Sequence, residues 1–262
     1  MSSITVIQQN DAVHLITDAA HYDLDGVILS IRSKICELPR SGCVFATRGS
    51  DWSMQFLEWM LSRCDSFDEI VKVLPGVMSV IDTGFLTFAS DMPAKMRHYV
   101  ITIAGWSESA QRVTTVMACT YPIGDPADTE GWSMNDFYGQ YTPIYVPIVM
   151  TIPPVSLEGA LGRTVDDTTD WVDAMDPAAD GLAIFEEQRR FVSTYIDSVQ
   201  YVVGGFAELT TITRDGITRS ILKEYPDQVG ELITPDGAMP IAEAWESELA
   251  SRRANMETAE AA

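Results

Sequence analysis

The chain is short of positive charge. Lys and Arg total 17 against 38 Asp and Glu, giving a net charge of −21 and a pI near 4.3. Basic residues gather no further than the pairs Arg189–Arg190 and Arg252–Arg253. Binding to a phosphate backbone draws on a basic patch, so a direct nucleic-acid partner is not expected. Histidine is scarce and scattered, at His14, His21 and His98. The four cysteines (Cys36, Cys43, Cys64 and Cys119) contain no C-x-x-C pair. Neither a metal site nor a cofactor is predicted from them; they read as buried thiols in a reducing compartment. Apolar runs fall short of the roughly 18 residues of a membrane span, and the N-terminus has no basic and apolar leader. A soluble cytoplasmic protein without a membrane partner is the expectation.

What is present is an ordinary apolar fraction, 46% of 262 residues, enough to bury a substantial core. ITVIQQNDAVHLITDAA reads as two strands around an Asn10–Asp11 turn, with Ala12, His14, Ile16 and Asp18 on one face of the second. VILSIRSKICEL, 27–38, reads as one longer strand with Ile28, Ser30, Arg32, Lys34 and Cys36 on a face. GCVFATRG is a short buried strand ending at Gly49. Ser50 or Asp51 can cap a helix with the stripe Trp52, Phe56, Trp59 and Met60. Ser66-x-x-Glu69 is a capping box for a second helix, with the stripe Phe67, Ile70, Val71 and Leu74, predicted to stop at Pro75–Gly76.

Strands are predicted again from about 82 to 120, in DTGFLTFAS, HYVITIAGW and RVTTVMACTY. Residues 121–178 are rich in Pro, Gly, Asp and Thr and read as a loop-rich insertion with short strands such as IYVPIVMTI. Asp176–Pro177 opens a helix with Leu182, Phe185, Val192 and Ile196 inward. A hairpin turning at Asp215–Gly216 follows. Residues 241–262 read as a helical tail, with Ile241, Trp245 and Leu249 in a narrow stripe, beyond a domain of 1–240. Strands and helices are segregated, which points to α+β with stacked antiparallel sheets.

Two motifs compete near the N-terminus. Asp23-Leu24-Asp25-Gly26 followed by Val27 resembles the first motif of haloacid-dehalogenase-type phosphatases, in which the first Asp attacks phosphorus and the second handles protons. That motif follows a buried apolar strand, whereas here TDAAHY precedes it. The other reading of the same residues is a turn between two strands.

The second motif is a spacing. Asp18 lies 18 − 2 = 16 positions after Ser2, and Lys34 lies 34 − 2 = 32 after it. LITDAA places Asp18 at the end of a second strand, and IRSKI carries Lys34. Gly49 in ATRGS ends the next strand. This pattern resembles the N-terminal nucleophile (Ntn) hydrolases, in particular proteasome β-type subunits. The resemblance covers most of the chain outside 121–178 and the tail. It implies a four-layer α-β-β-α sandwich of two stacked antiparallel sheets, with Ser2, Asp18, Lys34 and Gly49 as the catalytic set and no cofactor or metal.

The implied chemistry is amide hydrolysis through an acyl-enzyme. A serine hydroxyl needs a base to take its proton. A free α-amine, with a reference pKa of about 7.7–8.0, can be that base. Lys34 nearby would depress the amine further: two like charges about 4 Å apart repel by about 4 kcal/mol at an effective dielectric of about 20. Asp18 would orient Lys34, and the Gly49 N–H would receive the oxyanion. Met1 must leave for Ser2 to have a free amine. The family's Gly-Ser-Gly and Asp-x-x-Ser support has no recognisable counterpart here.

The resemblance therefore implies either an N-terminal serine amidase or peptidase, or a catalytically inactive descendant. Stand-alone chains of this kind are familiar from bacteriophage gene sets, where the second would be a structural subunit of a virion or tail. A peptide or amide substrate is expected in the first case. A homo-oligomer or larger protein assembly is expected in both, in the cytoplasm or the virion.

Overall fold

A computed structural model describes residues 3–49, 52–88, 98–120, 139–146, 148–166, 168–193, 200–237, 240 and 243. The fold is mixed α+β, 27% helix and 38% strand, with antiparallel sheets. The first hairpin is β1 (Ile4–Gln8) and β2 (Ala12–Thr17). Short β3 (Ala20–Tyr22) and β4 (Ile28–Ile31) pair with each other. Then come β5 (Ile35–Leu38), β6 (Cys43–Gly49), helix α1 (Trp52–Leu61), helix α2 (Phe67–Phe88), β7 (Tyr99–Ser107) and β8 (Arg112–Cys119). β9 (Ile144–Tyr145) and β10 (Val149–Ile152) precede three helices: α3 (Leu157–Leu161), α4 (Thr169–Asp173) and α5 (Ala179–Arg189). β11 (Val192–Ser193) pairs with β12 (Gln200–Tyr201), and β13 (Phe206–Thr213) forms a hairpin with β14 (Gly216–Glu224).

One five-stranded sheet has the order β10-β1-β2-β13-β14, and the other β5-β6-β7-β8-β9. The period of two distributes each strand between two apolar clusters. In β6, Cys43 and Phe45 join a cluster with α1 and α2, while Val44 and Ala46 join Ile4, Val6, Val13 and Leu15 of the first sheet. In β1 and β2, Ile7 and Ile16 instead meet Ile184 and Phe185 of α5. The segment 121–178 contributes an edge strand to each sheet, β10 on β1 and β9 on β8.

Several sequence expectations change. The 27–38 strand is two, β4 and β5, in different sheets, because the chain breaks at Arg32–Lys34. In α1 the inward residues are Ser53, Leu57 and Leu61, at i, i+4 and i+8; Phe56 and Trp59 of the expected stripe are exposed.

Half of the capping box at α2 forms, with Glu69 N–H donating to Ser66 Oγ (3.2 Å); the Glu69 carboxylate accepts instead from Asp65 N–H (2.7 Å), one residue before the cap. α2 does not stop at Pro75. It continues to Phe88 through residues expected to be a strand. Proline inside a helix costs about 3 kcal/mol. Burying Leu74, Val77, Met78 and Ile81 in one stripe outweighs that, at about 1.5–3 kcal/mol for each large side chain. At 22 residues and a mean hydropathy of 1.5, α2 is also long and apolar enough to cross a membrane, contrary to the run-length reading. Its six inward residues pack on the second sheet.

α5 ends at Arg189, so Val192 lies on β11 instead of in the helix. Its deeply buried face is Gly181, Ile184, Phe185, Gln188 and Arg189, with Leu182 only half-buried. The Asp176 carboxylate accepts from Ala178 N–H (2.9 Å) and Ala179 N–H (3.2 Å), holding the start of that helix. The caps at Ser50 and Asp51, Ile196, and the 241–262 helical tail other than residue 243 lie outside the described residues.

Candidate functional site

The β1–β2 register pairs Ile4 with Thr17, so one step further sets Ser3 beside Asp18. Ser3 N–H donates to Asp18 Oδ1 at 2.8 Å. Lys34 reaches both carboxylate oxygens, Oδ1 at 2.9 Å and Oδ2 at 2.8 Å. The Asp18 side chain is 0% exposed and that of Lys34 6%. This is no solvated pair of the kind that contributes little. Lys34 sits in the break between β4 and β5, not inside a strand, and the break lets one residue leave the first small sheet and face Asp18.

Continuing the β5–β6 register from Ile35–Ala46 sets Lys34 across from Thr47, two residues before Gly49. Gly49 ends β6 opposite Tyr99, with φ of +114°. A Cβ there would lie 2.3 Å from the His98 carbonyl oxygen, so both the torsion and the close approach call for glycine. The structure thus brings Ser3, Asp18 and Lys34 into direct contact and relates Gly49 to them by register. Ser2 lies outside the described residues.

Residues that the sequence did not single out surround the pair. Gln188, fully buried on α5, accepts from Ser3 Oγ (2.5 Å) and Thr5 Oγ1 (3.0 Å) through Oε1, and donates from Nε2 to the Pro153 carbonyl (3.1 Å). It ties the start of β1 to α5 and the end of β10. Arg189 and Asp227 form a second buried ion pair. A sequence signal existed for the first two: Gln188 and Arg189 are three and four positions after Phe185, on its face. Asp227 follows the last strand in irregular chain and carried none.

Arg219 of β14 reaches Glu208 (Nε–Oε1 2.8 Å), Glu37 (Nη1–Oε1 3.1 Å) and the Ser33 hydroxyl, so it grips both sides of Lys34 in sequence. Glu208 pairs with Thr17 across β13 and β2. Thr17 Oγ1, Glu208 Oε2 and Thr210 Oγ1 are buried oxygens without a protein partner among the described residues.

The DLDG residues form a turn. Asp23 Oδ1 accepts from Asp25 N–H and Val27 N–H, both at 3.0 Å, and Gly26 N–H donates to the Asp23 carbonyl at 3.2 Å. The carboxylate that would attack phosphorus is occupied by its own backbone, while Asp25 is exposed. Among the described residues, no group of three His, Cys, Asp or Glu is placed to hold a metal ion. The four cysteines are buried free thiols. Burial pushes Cys43 up to about 11 and Cys36 and Cys119 up to about 12.

No protein-family model matches the chain, and no curated protein matches it in sequence.

Proposed function

We propose that the chain is an Ntn-hydrolase-like protein in which Ser2, once freed of Met1, opens amide bonds through an acyl-enzyme. The observation that carries this reading is the buried Asp18–Lys34 pair bonded to the Ser3 amide, at the very start of β1. Burying two charges is expensive and is rarely kept for stability alone. Here the carboxylate that holds the ammonium is bonded to the residue that follows the proposed nucleophile in sequence.

In the reaction, Ser2 Oγ attacks the amide carbonyl and its proton passes to the Ser2 α-amine. The same proton goes on to the leaving amine as the C–N bond breaks. Water then hydrolyses the ester and restores the hydroxyl. Asp18 orients Lys34, and Lys34 disfavours a charged α-amine. The Gly49 N–H is assigned to the developing oxyanion. The layer order we assign is α1 and α2, the β5-β6-β7-β8-β9 sheet, the β10-β1-β2-β13-β14 sheet, then α5, in line with the three large apolar clusters.

The test is an intact mass of the protein, followed by hydrolysis of an amide substrate panel. A mass lacking Met1, with turnover abolished in a folded Ser2→Ala variant, is the expected result. Retained Met1, or full activity in Ser2→Ala, refutes the assignment.

A second reading, a structural subunit of a larger assembly such as a virion or tail, is favoured by one specific observation. α1 and α2 expose Phe56, Trp59, Val80, Leu86 and Phe88. Gathered into one contiguous patch, such side chains would form an association surface. Sedimentation of wild type against Trp59→Ser tests it; a monomer at all concentrations in both chains refutes it.

A further inference from the structure

Resting on the hydrolase reading, we propose that Arg189 and Asp227 are positioning residues for the Asp18–Lys34 pair, acting through the Gly204–Gly205 turn. Their side chains meet as a fork, Nη1–Oδ2 at 2.7 Å and Nη2–Oδ1 at 3.0 Å, each 3% exposed. Each partner also holds backbone. Arg189 Nη1 donates to the Val203 carbonyl at 3.0 Å, and Asp227 Oδ2 accepts from Gly205 N–H at 2.7 Å. The fork therefore grips the residues on both sides of Gly204.

Gly204 carries that grip to the site. Its carbonyl accepts from Ala19 N–H and Ala20 N–H, both at 3.0 Å, and its N–H donates to Asp18 Oδ2 at 3.4 Å. Asp18 Oδ1 is meanwhile held by Ser3 N–H at 2.8 Å. Each carboxylate oxygen thus has one backbone donor, and Lys34 bonds to both oxygens. The contacts run unbroken from Arg189 to Lys34.

Both glycines are needed for this approach. A Cβ on Gly204 would lie 2.8 Å from Asp227 Oδ2. One on Gly205, whose φ is +83°, would lie 2.9 Å from Ile31 Cγ2 and 3.1 Å from the Ala20 nitrogen. The Val-Val-Gly-Gly-Phe run is thus a bracket that lets a buried ion pair on one side set the geometry of another. A planar guanidinium matched to a carboxylate gives that geometry in a way a point charge cannot.

The test uses the full-length ¹⁵N-labelled chain and the side-chain ammonium resonance of Lys34, assigned by its loss in Lys34→Met. In Asp227→Asn the Lys34 signal is expected to shift or broaden away. Hydrogen exchange at Ala19 and Ala20 is expected to speed up by about tenfold or more. Arg190→Ala, an exposed neighbour, is expected to change neither. If Asp227→Asn does not fold, Arg189→Met with Asp227→Leu removes both charges and leaves none unpaired; the same shifts are expected. An unchanged Lys34 signal and unchanged exchange in either folded variant overturns the proposal.

Acylation of Ser2 by a β-lactone, read by intact mass, separates this idea from the one beneath it. The Ser2 Oγ–acyl bond forms, the ring C–O bond breaks, and the Ser2 proton ends on the released hydroxyl. Wild type is expected to react, and Asp227→Asn to react on the order of tenfold to a hundredfold more slowly. An unreactive wild type with its Lys34 signal intact refutes the hydrolase reading. A reactive wild type matched in rate by Asp227→Asn refutes the positioning role.

Discussion

Replacing Lys34 by Met is the most informative stability experiment on this chain. The substitution leaves the Asp18 carboxylate 0% exposed with two remaining donors among the described residues, Ser3 N–H at 2.8 Å and Gly204 N–H at 3.4 Å. Neither carries a full charge. Breaking a buried pair by removing one partner costs about 3–5 kcal/mol, because the other charge stays behind. With a urea slope near 3 kcal/mol/M, the upper end for small proteins, the midpoint falls by about 1–1.7 M. The double variant Asp18→Asn with Lys34→Met strands no charge, so it should lose less than the single. That gives a coupling of roughly 1–3 kcal/mol. Urea melts followed by tryptophan fluorescence measure all three. A Lys34→Met midpoint within about 0.3 M of wild type refutes the reasoning. So does a double variant that loses the sum of the two singles.

Three further outcomes follow from the geometry. His14 is buried, its Nδ1 2.9 Å from Thr211 Oγ1 and its Nε2 2.9 Å from Gln9 Oε1, and burial lowers its pKa from 6.5 to about 4, partly opposed by Asp11. The unfolded imidazole therefore takes up its proton first: this contribution to stability, at most about 3 kcal/mol, is complete above about pH 6.5 and is lost as pH falls towards 4. An NMR titration of His14 with a midpoint of 6 or above contradicts it. Burial raises the pKa of all four thiols, three of them to about 11–12, so a thiol reagent at pH 8 should label the native chain slowly and the urea-unfolded chain fully; stoichiometric labelling of the native chain within minutes overturns this. Gly49→Ala places a methyl 2.3 Å from the His98 oxygen at a φ of +114° and should destabilise by roughly 2 kcal/mol or more, read as a thermal midpoint; an unchanged midpoint would show that the β6 end can move aside.

Asp18, Lys34 and Gly49 were singled out because their spacing after Ser2 resembles the Ntn-hydrolase pattern. Strand periodicity placed the first hairpin, β6, β7, β8 and the β13–β14 hairpin, because alternation of apolar residues is a local property of the chain. The same local logic misplaced what depends on the far side of a contact. A strand read through 27–38 is two, since Lys34 turns towards Asp18 and Arg32 N–H is taken by the Ala19 carbonyl. Pro75 signalled a helix end, but the sheet surface beneath Leu74 to Ile81 favoured continuation.

In α1, Phe56 and Trp59 are the larger apolar residues, but the rotation of the helix is set by Ser53, Leu57 and Leu61 fitting against the sheet. Gln188, Arg189 and Asp227 became visible only in three dimensions. Their roles depend on meeting Ser3, Val203 and Gly205 across the molecule. The sequence by itself determined the elements with regular patterning and the spacing of the charged pair. Tertiary structure decided that the pair is buried, what holds it in place, and which helix faces are left exposed. Burial and hydrogen bonding between distant segments are properties of the packed chain, and no local stretch encodes them.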